Sequence, residues 1–265
     1  MCAAVVFVVG AAALIGVYAA ASGPAPVPLA AGSYAGSLVL NESGSQLASW
    51  NQTSTFCPQD SWQVPDGTVS TDSAGDATLS TTGKPGSCVA IISPGAYSSA
   101  VIEADIDFPA LPGKPNTIAD WTAFWLTNQA VWPADGELDA VEAEPATGVN
   151  AAAWHWGTSQ SPLSKSTDGY ASSGTLPKGG PDLTPGWHMV DIVYTKGFFA
   201  VYYDGRQFTS LHSSVVTGSA LNIILSTSVT PNTSEVDQSI GGPPRNSDSS
   251  PATLAIKDLK VWSYK

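Results

Sequence analysis

An all-β chain is predicted, with two antiparallel sheets packed face to face. Short runs rich in branched and aromatic residues recur along positions 33–265, and turn-forming residues separate them. No long apolar pattern with the helical period of about 3.6 residues appears in that stretch. Composition agrees, with 25 glycines, 20 prolines and only 12% charged residues. Strands of this kind must each bury a face, and two sheets closing on a shared core is the arrangement the pattern allows. The 265 residues suit one large β domain with a full core.

From the N-terminus, residues 2–22 are almost wholly apolar and end near Ala19-Ala20-Ala21, which reads as a secretion signal with a small-residue cleavage site. The run also reaches the roughly 20 residues that span a bilayer, so a retained anchor is the alternative. No basic residue precedes Lys84, and Cys2 lacks the residues a lipoprotein signal places before it. A Pro/Ala-rich linker over 23–32 leads into the domain at 33–265. Strands are expected at 36–40, 77–81, 89–92, 100–108, 121–127, 137–144, 151–156, 188–194, 198–203, 221–226 and 254–262. Asp204-Gly205, between 199–203 and 207–211, is a strong hairpin signal, and Lys196-Gly197 marks another turn.

The stretch Glu137-Leu138-Asp139-Ala140-Val141-Glu142-Ala143-Glu144 carries the chemistry. Four carboxylates crowd into it, although like charges at close range oppose joint ionisation. Such a cluster marks a metal site or an acid/base pair, and glycoside hydrolysis needs two carboxyl groups. Local propensity favours a short helix, capped by Asp135 and stopped by Pro145, with a solvated acidic face. On a strand, Glu137 and Asp139 share a face by the period of two, and Glu142 points away. One extra residue in a β-bulge returns Glu142 and Glu144 to the face of Glu137.

Glu137-Leu138-Asp139-Ala140-Val141-Glu142 matches the E-x-D-x-x-E signature of glycoside hydrolase family 16, and its surroundings resemble that family in the same order. Trp121-Thr122-Ala123-Phe124-Trp125-Leu126 resembles the family's W-P-A-F-W-L strand. The stretch 99–108 resembles the strand before it. Gly186-Trp187-His188 followed by Tyr202-Tyr203-Asp204-Gly205 resembles its G-W-H…Y-x-D-G hairpin, and 254–264 its closing strand. The similarity covers about 33–265. It implies a β-jelly roll sandwich with a concave substrate cleft, and a retaining, endo-acting hydrolase of β-linked polysaccharide. Glu137 would be the nucleophile, Glu142 the acid/base, and Asp139 their assistant. The bulged spacing resembles the laminarinase and agarase side of the family. The chain departs from the pattern in three ways: Thr122 stands where proline is usual, 158–180 is rich in Ser, Gly and Pro, and the only arginines are Arg206 and Arg245.

Trp125, Trp132, Trp154 and Trp156 flank the carboxylates in sequence, and indole rings offer flat partners to the C–H faces of sugars. These four, with His155, which falls where the family often has a histidine, are the candidate substrate-binding residues; core packing is the alternative for each. Cys57 and Cys88 are the cysteines beyond the apolar run, and in an exported chain they are expected to pair. No cofactor is expected, with a structural calcium ion elsewhere the alternative left open: C-x-x-C, H-E-x-x-H and Gly-rich phosphate loops are missing, and no Asp/Asn-rich calcium loop stands out. A net charge of −12 argues against nucleic acid and acidic glycans, which leaves a neutral polysaccharide, β-glucan foremost, as the partner of an expected monomer. A transglycosylase on the same scaffold, or a lectin-like jelly roll that only binds glycan, would share most of these features.

Overall fold

The expected strands form, and they pair into two antiparallel sheets. The computed structural model describes residues 30–52, 64–128, 134–144, 149–157, 169–172, 183–229 and 251–265. The 2–22 run, Cys57 and Trp132 lie outside them. In chain order the first strands are β1 (Ala35–Ser43), β2 (Asn51–Gln52), β3 (Thr68–Thr71), β4 (Ala77–Ser80), β5 (Cys88–Tyr97), β6 (Ala100–Phe108), β7 (Ala110–Leu111), β8 (Lys114–Ile118) and β9 (Trp121–Thr127). They continue as β10 (Glu137–Glu144), β11 (Val149–Trp156), β12 (Gly169–Ser172), β13 (Gly186–Thr195), β14 (Phe198–Tyr203), β15 (Arg206–His212), β16 (Leu221–Ser228) and β17 (Thr253–Tyr264). A helical turn, α1 (Gly44–Leu47), follows β1.

The first sheet runs β15-β14-β13-β6-β17-β4-β3, with β1 also paired to β17; the second runs β12-β11-β10-β9-β16-β5-β2. Strands distant in sequence lie side by side, as β6 with β17 and β9 with β16. The result is a β-jelly roll sandwich. Its core is closed by Phe124, Leu126, Leu138 and Trp154 from the second sheet against Ile102, Ile192, Tyr194 and Phe199 from the first. Each such side chain contributes about 1.5–3 kcal/mol by leaving water.

The helix favoured by local propensity around Glu137 does not form. β9 and β11 flank the segment on both sides and engage its backbone, while Leu138, Ala140, Val141 and Ala143 are buried. Tertiary pairing overrides a weak local preference here. The Asp204-Gly205 turn is the expected hairpin: both residues have positive φ, 48° and 77°, as a twisted two-residue loop requires. The Asp204 side chain ties the turn down, accepting the Met189 N–H at 3.0 Å and pairing with His188 Nδ1 at 2.7 Å.

A 3-10 turn spans Ala30–Ser33, and Tyr34 behind it packs 5.7 Å from Phe198 and 5.9 Å from Tyr264, centroid to centroid. These rings cover the outer side of the first sheet, with Val101, Val193, Ala200 and Tyr202.

Candidate active site

β10 carries one residue more than its neighbours can match. Against β11, Asp139 pairs with Ala153 and Glu142 with Ala151; against β9, Asp139 pairs with Trp125 and Val141 with Phe124. The extra residue lies between Asp139 and Glu142. Ala140 and Val141 therefore both enter the core at 0% exposure, and Glu142 returns to the open face with Glu137 and Asp139. Tyr203 on β14 of the opposite sheet donates its hydroxyl to the Ala140 carbonyl at 2.6 Å. A bulge leaves backbone groups unpaired, and this bond satisfies one of them inside the core.

Directly opposed residues share a face, so the open face of the second sheet reads in rows. One row holds Asn222, Thr127, Glu137 and His155. The next holds Ile224, Trp125, Asp139 and Ala153, and the third Ser226, Ala123, Glu142 and Ala151. Three carboxylates thus stand in consecutive rows on one strand, with a histidine beside the first.

His155 Nε2 lies 3.2 Å from Asp139 Oδ2 and 3.9 Å from Glu137 Oε1. Burial works against its charge, but the bond to Asp139 and the charges of Glu137, Asp139 and Glu142 outweigh burial and lift its pKa to about 9. Its imidazolium is therefore present at neutral pH, beside Glu137 and Asp139. Glu142 goes the other way from an ordinary acid. Burial first, then the charges of Asp139 and Glu137, push it up to about 8 against the opposing pull of His155 and of a bond from Trp121. At pH 7 one carboxyl is thus a proton donor while its neighbours face a cation. A carboxyl kept protonated in this way suits the proton-donor half of two-carboxylate chemistry.

The tryptophans divide by face. Trp125 lies on the open face opposite Asp139, only 5% exposed, with its Nε1 donating to Ser226 Oγ at 3.1 Å. Trp154, expected among the sugar-binding rings, is a core side chain at 0% exposure. It packs on Tyr194 and Phe199 and donates to the Val215 carbonyl at 3.2 Å. Trp156 also packs against the core. His155 stands between them on β11, and successive side chains on a strand take opposite faces. With His155 on the open face, both tryptophans must point inward. Trp154 has another consequence: Gly136 has φ 91°, and a Cβ there would collide with the Trp154 ring. The residue before Glu137 is therefore confined to glycine.

Three contributors were not expected from sequence: Trp121, Tyr203 and Gly136. Trp121 Nε1 donates to Glu142 Oε1 at 3.1 Å. Its signal was available, since Trp121 and Trp125 have the same parity on β9. Tyr203 and Gly136 act through contacts across the core that no local pattern encodes. Glu137, Asp139 and His155 each offer one atom to a common point, all within 4.8 Å of one another, and so are placed to hold a cation. Doing so would require His155 to give up the proton its neighbours hold in place.

No protein-family profile and no curated protein matches the chain in sequence. Solved structures match its fold. A glycoside hydrolase family 16 protein from the mixed linkage glucan PUL of Bacteroides ovatus, solved with a product, aligns at TM-score 0.59 and 17% identity, over 84% of this chain and 99% of its own. LamAcat from Zobellia galactanivorans aligns at TM-score 0.55 and 14% identity, over 86% and 98%. The κ-carrageenase of Pseudoalteromonas carrageenovora, solved with an oligotetrasaccharide of κ-carrageenan, aligns at 0.59 and 15%, over 86% and 95%. At these identities the likeness is one of fold.

Proposed function

We propose that this protein is a retaining endo-β-glycosidase of the glycoside hydrolase family 16 type, acting on a neutral polysaccharide, with β-glucan the favoured class. The observation that carries this reading is the bulge between Asp139 and Glu142, which puts three carboxylates on one open sheet face. In the first step the Glu137 carboxylate attacks the anomeric carbon while Glu142 gives its proton to the departing glycosidic oxygen. In the second, Glu142 as carboxylate takes a proton from water, the water oxygen attacks the anomeric carbon, and Glu137 leaves. Asp139 stands between them in the register and is held by His155. A raised Glu142 pKa supports the donor role. The net charge of −12 supports an uncharged substrate, as does the place of Arg206 on β15 of the other sheet.

Reducing-end release should be measured across laminarin, mixed-linkage glucan, agarose and xyloglucan. Turnover of a β-glucan is expected, and Glu137→Gln should abolish it with the fold intact. Near-normal activity in that variant would refute the nucleophile assignment. Glycan binding without turnover in the native protein would instead favour a lectin.

The same reading takes the chain as exported, with Cys57 joined to Cys88. Cys88 is buried at the start of β5, where a structural disulfide would be shielded from reductant. Closing this loop of roughly 30 residues would add about 4 kcal/mol. Non-reducing peptide mapping should find the two peptides linked; recovery of both as free thiols would contradict the pairing.

A further inference from the structure

We propose that Trp121 is a positioning residue for Glu142: its indole N–H occupies Oε1, which leaves Oε2 as the oxygen that carries the transferable proton. The inference rests on the acid/base role given to Glu142 above. Its geometric part stands without that role.

An indole nitrogen donates and cannot accept, so at 3.1 Å Glu142 Oε1 must act as the acceptor. In a neutral carboxyl the carbonyl oxygen is the better acceptor and the proton sits on the other oxygen. The bond therefore selects both a side-chain orientation and a proton position. Trp125, on the same face, donates its N–H to Ser226 Oγ at 3.1 Å.

The mounting of Trp121 is built to hold that direction. Asp120, directly before it, is fully buried with φ 57°, a left-handed conformation rare outside glycine and maintained only where surrounding structure enforces it. Thr81 Oγ1 donates to Asp120 Oδ2 at 3.0 Å and itself accepts the Ala252 N–H at 3.1 Å. The Ala119 N–H bonds the Pro109 carbonyl at 2.7 Å. Thr122, directly after Trp121, bonds the Ala119 carbonyl and Thr227 Oγ1, each at 3.1 Å, so the residue that replaces the usual proline adds two side-chain ties. Strain before the ring and anchors on both sides fix where the indole N–H points.

The bond persists through the cycle. It strengthens when Glu142 becomes a carboxylate, because a charged acceptor holds a donor more tightly. Trp121 thus stabilises the ionised Glu142 that the second step needs, and opposes the burial and neighbouring charge that favour the neutral acid.

The test follows the Trp121 indole N–H resonance of the full-length protein by proton–nitrogen NMR, assigned with Trp121→Phe, as pH is raised. It should shift with a midpoint near the descending limb of kcat/KM, and the shift should vanish in Glu142→Gln. An indole signal that ignores Glu142 ionisation overturns the proposal. In kinetics, Trp121→Phe with an unchanged melting temperature should lower kcat roughly ten- to a hundredfold, the worth of one hydrogen bond to a charged group. KM should hardly move, and the descending limb should shift to higher pH. A fall in kcat with that limb unmoved means the ring is merely structural and also overturns it. The NMR arm needs no substrate. An indole that titrates with Glu142 in a protein inactive on every glycan would keep the placement of Trp121 and sink the glycosidase reading.

Discussion

Glu142 and His155 are the residues whose protonation the fold alters most usefully, and both carry consequences for pH. Burial leads the shift that takes Glu142 up to about 8, while the bond to Asp139 and the charges of Glu137, Asp139 and Glu142 overcome burial to take His155 up to about 9. Catalysis that needs Glu142 protonated should fall as pH rises through about 8, visible as the descending limb of kcat/KM. Stability moves in the same direction. Both groups hold protons more tightly folded than unfolded, so their contributions are fully present below the ordinary values of 4.5 and 6.5 and are lost as pH rises through about 8 and about 9. Melting temperature should decline across that window, and Glu142→Gln should remove the lower part of the decline. A melting temperature that rises with pH there would contradict these environments. The crowding of the carboxylates was legible in the sequence, but not the face each one takes. The tryptophans were not sorted, because Trp154, His155 and Trp156 cannot all face one side of a strand, and only the pairing of His155 with Glu137 decides which of them points inward.

At the scale of the element, β10 depends on a partner that its own sequence does not reveal. The odd spacing of Glu137 and Glu142 demands a bulge once the segment is taken as a strand, but local propensity suggests a helix, so sequence leaves the matter open. What holds the bulge is Tyr203, 63 positions away, reaching the Ala140 carbonyl from the opposite sheet. Tyr203→Phe keeps the ring stacked on Phe208, 4.5 Å between centroids, and removes only the donor. The buried carbonyl left behind should cost about 1–3 kcal/mol in denaturant unfolding, with a loss of kcat as Glu142 loses its seat. Unfolding free energy equal to the native protein's would show that the bulge holds itself. Gly136→Ala should also destabilise, since the new methyl meets the Trp154 ring in a backbone conformation that alanine avoids. Gly136→Ser melting with the native protein would argue against that contact.

The whole molecule divides its labour between two sheets: the first supplies the outer wall and the Tyr203 tie, the second presents the carboxylates. Its class was legible because strand-like runs and turn signals recur with little competition from helix. Short strands such as β2, β7 and β12 were not, since two to four residues carry too little pattern to separate from loop. At the N-terminal junction, Ala30–Ser33 forms a 3-10 turn that its Ala-rich sequence does not announce, and Tyr34 behind it stacks on Tyr264 at the outer face of the first sheet. Truncation through Tyr34 should melt at a lower temperature than truncation through residue 29, because the Phe198 and Tyr264 rings lose their cover. Equal melting temperatures for the two truncations would show that Tyr34 does not brace the sandwich. The central claim is that Glu137 and Glu142 act as a nucleophile and acid/base pair across one open face. Carboxyl groups about 5–5.5 Å apart attack the sugar directly and keep its anomeric configuration, whereas a wider gap admits a water and inverts it. Proton NMR of the first products released from a β-glucan tests this most directly. The β-anomer should appear first and then mutarotate; an α-anomer appearing first would rule out direct attack by Glu137.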